Sequence, residues 1–251
     1  MNRLEKDNIE PRYPPYRMIL LSNSIPKSGS THLANLQEDI LSHCNVKSGQ
    51  STLRDYFQGR YIPKPSIPVL YNLRRINQQK GSIIVKCHWA FSQKLDLFCR
   101  HTDTKMTMTY RDPRDIILSM IDHGKRTRES NDPSGPFSDV HNVVDSLPVM
   151  IKMMEGLQLW QRKAYMHFIK YEDFISEKFT TLKEMISFLG WELNDNDLRK
   201  IIESHEKSKK TSHNFNKGTT ERWRYEMNDF EKEICLQAFK PHLIRLNYSL
   251  T

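Results

Sequence analysis

Short apolar runs alternating with helical periodicity outline the chain. Met18, Ile19, Leu20 and Leu21 form a run bounded by turn residues, which predicts a strand buried on both faces. A loop at 22–30 follows, and residues 31–44 then carry Leu33, Leu36, Ile40 and Leu41 at helical spacing. The runs at 82–86, 105–110 and 167–171 predict three more strands. Asp112 before Pro113 reads as an N-cap and first helical residue, with the helix running to about residue 123. Further helices are expected over 147–163, 179–189, 195–205 and 229–245. Residues 45–80 read as irregular connections around a short helix. Residues 126–145, rich in Ser, Asp, Asn, Pro and Gly, read as a long mobile surface segment.

Strands alternating with helices predict an α/β fold, a single domain whose central parallel β-sheet is flanked by helices on both faces. Ligands of such sheets sit beyond the carboxyl ends of the strands. Residues 1–16 are polar with three prolines and are expected to form a surface arm, leaving 17–251 as the domain. A length of 251 residues suits one such domain.

The formal net charge of +8 suggests an anionic partner, whether nucleic acid, membrane surface or phosphorylated small molecule, with solubility alone as the plain alternative. Cys44, Cys87, Cys99 and Cys235 are scattered without CxxC or zinc-ligand spacing, so reduced buried thiols are expected and no metal site. The histidines His101, His123, His141 and His213 show no metal-ligand spacing either. The first residues are polar and no run approaches the ~18 apolar residues of a membrane span. A cytoplasmic location is the expectation.

The segment Pro26-Lys27-Ser28-Gly29-Ser30-Thr31 joins the first strand to the first helix. Strand, glycine-containing loop and helix aim several backbone N–H groups at one point, where the helix N-terminus adds roughly half a positive charge. Gly29 permits close backbone approach, Lys27 adds a cation, and Ser28, Ser30 and Thr31 add hydroxyls. A Walker A loop, GxxxxGKS/T, places its lysine after the second glycine and its next hydroxyl on Mg²⁺. Here Lys27 precedes the loop's one glycine, which argues against a metal-dependent nucleotide hydrolase. An ordinary capped turn remains the plain alternative for the hexapeptide alone.

Four further elements follow in order: Lys86-Cys87-His88, the run from Tyr110 to Ser119 with Arg111 eight residues before the serine, Tyr171-Glu172-Asp173, and Lys217-Gly218 followed by Trp223. Together with the loop they resemble the PAPS-dependent sulfotransferase family, of cytosolic or bacterial type, over about residues 18–225. The loop is similar to that family's 5′-phosphosulfate loop PKSGTT, Lys86–His88 to its KxH element, and Lys217-Gly218 to part of its RKGxxGDW element. The resemblance implies a P-loop-like strand–loop–helix, PAPS as donor with PAP as product, and no metal. It implies that His88 is the general base, Lys27 and Lys86 stabilise the transferring group, and Ser119 restrains the loop lysine. Donor contacts fall to Lys27, Ser28, Gly29, Ser30, Thr31, His32, Arg111, Ser119, Tyr171, Lys217 and Gly218.

Three positions depart from the family pattern. His32 stands where an aromatic stacks on adenine, Asn216 replaces the arginine of RKG, and Thr219–Arg222 lacks the second Gly-Asp. The acceptor, a small molecule offering a hydroxyl or nitrogen, is expected to meet Tyr56, Phe57, Tyr61, Trp89, His123, Phe137 and His141. A compact chain suggests secondary-metabolite tailoring. The rival readings are a P-loop nucleotide kinase or NTPase, and a basic nucleic-acid-binding module; the latter needs basic residues interleaved with exposed aromatics on one element, and no such stripe is present. No nucleic-acid or membrane partner is expected.

Overall fold

A computed structural model describes residues 17–44, 46–130, 135–161, 163–209 and 219–251. In chain order the described elements are β1 (Ile19–Ser24), α1 (Ser30–His43), α2 (Gln50–Phe57), α3 (Ile67–Lys80), β2 (Ile83–Lys86), α4 (Gln93–Arg100), β3 (Thr104–Tyr110) and α5 (Pro113–Glu129). They continue with α6 (Val143–Trp160), β4 (Met166–Lys170), α7 (Tyr171–Ser176), α8 (Lys178–Leu189), α9 (Asp195–Lys209), α10 (Trp223–Glu226) and α11 (Asp229–Arg245). The expected N-terminal arm at 1–16 lies outside the described residues.

The four strands pair in parallel in the order β2-β1-β3-β4. Period-two alternation splits the apolar run of β1 between two cores. Ile19 and Leu21 join Ile116 and Ile117 of α5, Met150 of α6 and Phe239 of α11. Leu20 joins Leu33, Leu36 and Ile40 of α1 with Leu182 of α8 and Ile201 of α9. Both faces of β1 are therefore covered, which is why its sequence is continuously apolar. The four cysteines are buried thiols.

Two regions differ from expectation. Residues 45–80 hold two helices, α2 and α3, because Leu53, Leu70, Leu73 and Ile76 anchor them on the core despite the surrounding Pro, Gly and Tyr. The segment 126–145 is mostly structured in its described part. Helix α5 runs on to Glu129 and α6 begins already at Val143, capped by the Asn142 side chain. Between them the backbone at Phe137–Val140 lies against Gly124 of α5, where a Cβ would come within 2.1 Å of the Phe137 oxygen. Arg128 donates to the carbonyls of Ser138 (2.6 Å) and Val140 (3.1 Å) from the same helix. Packing, rather than composition, decides the conformation here.

Candidate active site

The carboxyl ends of β1, β2 and β3 open into one cavity of about 620 Å³. It is lined by Pro26, Lys27, Gly29, Ser30, Thr31 and His32 from the first loop, by Lys86 and His88 after β2, and by Arg111, Ser119, His123 and Arg126 along α5. Tyr61, Pro136, Phe137, Tyr171, Ile175, Thr219 and Arg222 complete the wall.

The loop owes its shape to two left-handed residues, Lys27 (φ 69°) and Gly29 (φ 85°). A Cβ on Gly29 would fall 2.8 Å from the Tyr171 ring, so only glycine fits. Gly29 is also the N-cap of α1 and supplies no side-chain cap, unlike the serine, aspartate and asparagine caps of α3, α4, α5, α6 and α11. The first-turn N–H groups of α1 are thus turned toward the cavity and suited to an anion. The Ser28 hydroxyl does not join them. It is fully buried and bonded to Ile25 O (2.6 Å), Thr109 O (3.1 Å) and Thr109 Oγ1 (2.9 Å), so its side chain fastens the loop to β3 instead of lining the cavity.

Lys27 and Lys86 approach the cavity from neighbouring strands. Burial, with Arg126 as the next largest cause, lowers Lys27 from its ordinary value to about 8. Its Nζ lies 3.4 Å from His123 Nδ1. Lys86 donates to Thr31 Oγ1 at 2.6 Å, tying β2 to the start of α1, and burial lowers its pKa as well.

His88 is held from one side. Its Nδ1 sits 2.9 Å from Ser24 O and 3.0 Å from Ser24 Oγ. A carbonyl can only accept, so Nδ1 carries the proton in that bond and Nε2 keeps its lone pair for the cavity. Asn23 fixes the backbone next door, accepting from Trp89 N (2.9 Å) and donating to Trp89 O (3.0 Å). Desolvation is the main cause of a lowered His88 pKa, which keeps the ring neutral at neutral pH.

Arg111 follows β3 and is buried between two partners: it donates to Asp115 Oδ2 (2.9 Å) and lies 4.4 Å over the Tyr171 ring. Its Nη2 also reaches Thr219 O (2.7 Å), while Nε finds no partner among the described residues. Ser119 stands two turns along α5, buried at the cavity wall. Lys217 and Gly218 lie outside the described residues.

The expected acceptor residues divide. Tyr61, His123 and Phe137 line the cavity, with Tyr61 5.7 Å from His88 and Phe137 edge-on to His123 at 5.8 Å. The other four are elsewhere. Trp89 is a core residue whose Nε1 donates to Ile62 O (2.7 Å). Tyr56 sits on the outer side of α2 under Arg75, with Phe57 against it and the core. His141 is exposed ahead of α6, its backbone N–H bonded to Asp145. Sequence reasoning missed Ser24, Asp115, Arg126 and Arg222. Asp115 alone had a signal, four residues after Arg111 on a helical pattern.

A sulfotransferase domain model matches residues 18–245. The chain belongs to the sulfotransferase domain family. No curated protein matches this sulfotransferase in sequence. Among solved structures it is similar in fold to the mouse sulfotransferase SULT7A1 complexed with PAP, at 18% identity and TM-score 0.65, covering 91% of this chain and 84% of that one. It is similar to retinol dehydratase in complex with androsterone and PAP, at 15% identity and TM-score 0.60, over 92% and 82% of the two chains. A sulfotransferase domain from the curacin biosynthetic pathway aligns over 95% of this sulfotransferase and 99% of that domain, at 14% identity and TM-score 0.52.

Proposed function

We propose that this sulfotransferase moves a sulfuryl group from PAPS to a hydroxyl or nitrogen of a small-molecule acceptor, with His88 as general base. The observation that carries the reading is the convergence of an uncapped helix N-terminus, Lys27, Lys86 and the Nε2 side of His88 on one cavity. The residues fit the donor's two anionic ends. The first turn of α1 with Lys27 suits the phosphosulfate, and the buried Arg111, with Nε unmatched, suits the 3′-phosphate beside Ser119. Lys217 and Gly218 complete that second grip in this reading, and Tyr171 and His32 flank the adenine.

PAPS, when bound, supplies a sulfuryl group already activated by its phosphate. His88 Nε2 takes the acceptor's proton as the nucleophile attacks. Lys27 meets the charge that grows on the departing bridging oxygen, and Lys86 faces the sulfuryl oxygens. Fixed cations in a half-buried site supply most of the acceleration, as in phosphoryl transfer. Side-chain cations and the N-terminus of α1 provide the positive charge in this scheme, so it calls on no metal ligand. The curacin pathway domain supports secondary-metabolite tailoring as the setting. No described helix is long and apolar enough to cross a membrane, and we place the activity in the cytoplasm.

The test is sulfuryl transfer from labelled PAPS to a broad acceptor panel by wild type, His88→Ala and Lys27→Ala. Transfer by the wild type and its loss in both variants is the expected outcome. Full activity in either variant refutes the assigned chemistry.

A further inference from the structure

The cavity extends along α5 past the residues assigned to the donor as far as Arg126, a cation. Along α5, Arg111 sits just before the helix and Arg126 lies thirteen residues after Pro113, about 20 Å further along the axis at 1.5 Å per residue. Ser119 and His123 fall between them, and His123 touches Lys27. Arg126 therefore stands on the opposite side of the transfer point from the 3′-phosphate grip.

Among the described residues, the other charged groups nearby along α5 have partners. Asp122 pairs with Arg222 (2.8 Å), which also holds Glu226 (2.7 Å). Lys125 pairs with Glu129, and Arg128 secures the 138–140 backbone. Arg126 lines the cavity, and no carboxylate is bonded to it among the described residues. Beside it Pro136 and Phe137 present an apolar edge, pressed onto α5 at Gly124.

From this placement we infer that the acceptor is an anion: a hydroxylated or aminated molecule whose carboxylate, or comparable oxyanion, is received by Arg126 while its apolar body rests on Phe137. Residues three apart on a helix have Cβ atoms about 5–6 Å apart, so the anion sits about one helical turn from the atom that is sulfonated. Lys27, Lys86 and Arg111 are matched in this reading by the donor's own negative groups, and among the described residues lining the cavity Arg126 is a cation left over for a second ligand. A guanidinium suits the task, since its planar fork binds a carboxylate through two donors. The lowered pKa values of Lys27 and His123, due first to burial and also to Arg126, agree with its closeness to the transfer point.

This inference rests on the sulfuryl-transfer reading, and the experiment separates the two. PAP is titrated into the wild-type chain first; absence of binding would speak against the transfer reading itself. The PAP-loaded protein is then titrated with 3-hydroxybenzoate, 4-hydroxyphenylacetate and 3-hydroxydecanoate, each against its methyl ester. At least one acid is expected to bind ~10–100-fold more tightly than its ester, the range for one charge-assisted contact. Arg126→Gln should bring that ratio to about one, whereas Lys125→Gln on the solvent side should leave it unchanged. PAP binding with no acid preferred over its ester, or with no acid bound, overturns the inference. So does a ratio that survives Arg126→Gln. A parallel loss of PAP affinity in that variant would assign Arg126 to the donor and overturn it as well.

Discussion

The two ends of the cavity are built by different means. The end we assign to the donor is made from the termini of regular elements: the last residues of β1, β2 and β3, the first turn of α1 and the start of α5. The end we assign to the acceptor is made from the second half of α5 and a pinned segment around Phe137, with Tyr61 contributed by an isolated bridge to Lys86. Backbone geometry fixes the first, so a handful of residue types can satisfy it. Side-chain packing shapes the second, and there many sequences would serve.

Substitutions at either end should separate cleanly. The largest effect is expected for His88→Ala, which removes the base without touching the anion cradle. Transfer should fall ~10²–10⁴-fold, the usual contribution of general-base catalysis, with PAP affinity held near wild type. Gly29→Ala breaks the donor end by shape. Its Cβ meets the Tyr171 ring and the φ of 85° disfavours any side chain, so PAP binding should collapse in calorimetry and Tm should drop. Arg111→Gln should weaken PAP ~10–100-fold, as expected for losing hydrogen bonds from a charged donor, measured by the same titration.

The pH profile gives a smaller and directional effect. Burial lowers Lys27 to about 8, and in the proposed role the amine is charged when it holds the donor's anions. PAP affinity should therefore be greatest below about pH 8 and decline as pH rises through it. His88, whose pKa is lowered by burial, must be neutral to act as base, so transfer should fail on the acid side. Two opposed limbs make a bell for kcat/KM, and the alkaline limb should vanish from kcat once bound anions raise the lysine. The smallest effect is expected at the acceptor end. Gly124→Ala displaces the Phe137–Val140 backbone and should raise acceptor KM several-fold while PAP affinity stays put. A variant at one end that moved the other end's constant equally would erase the distinction.

The same contrast explains what the sequence revealed. All four strands, the first helix and the loop at 26–31 are legible because apolar runs in β1 and β2, alternating or short apolar stretches in β3 and β4, and a glycine before a helix leave local signatures. The roles we propose for Lys27, Lys86, His88 and Arg111 rest on their ordered spacing, as a family resemblance, and on the one cavity that all four line. Ser28 was misread because a hydroxyl in a loop gives no sign of which way it points; here Thr109 and Ile25 claim it. The stretch 126–145 looked mobile by composition, yet Gly124 and Arg128 hold its described part through contacts no periodicity records. Tyr56, Phe57, Trp89 and His141 were chosen as aromatics or histidines near the site in sequence, and packing placed them elsewhere. Ser24 and Arg126 reach the site beside residues distant in the chain, His88 and Lys27, which is where reading along a sequence stops helping.

One measurement bears most directly on the central claim that Lys27 and the first turn of α1 hold a 5′-phosphosulfate donor while Arg111 holds its 3′-phosphate. It is a calorimetric titration of PAP into the wild-type chain and Arg111→Gln, with ATP as the competing nucleotide. The expected result is a one-to-one complex with PAP, clear preference over ATP, and loss of that preference in Arg111→Gln, since ATP lacks the 3′-phosphate. Equal affinity for PAP and ATP in the wild type, or no binding of PAP, would contradict the account.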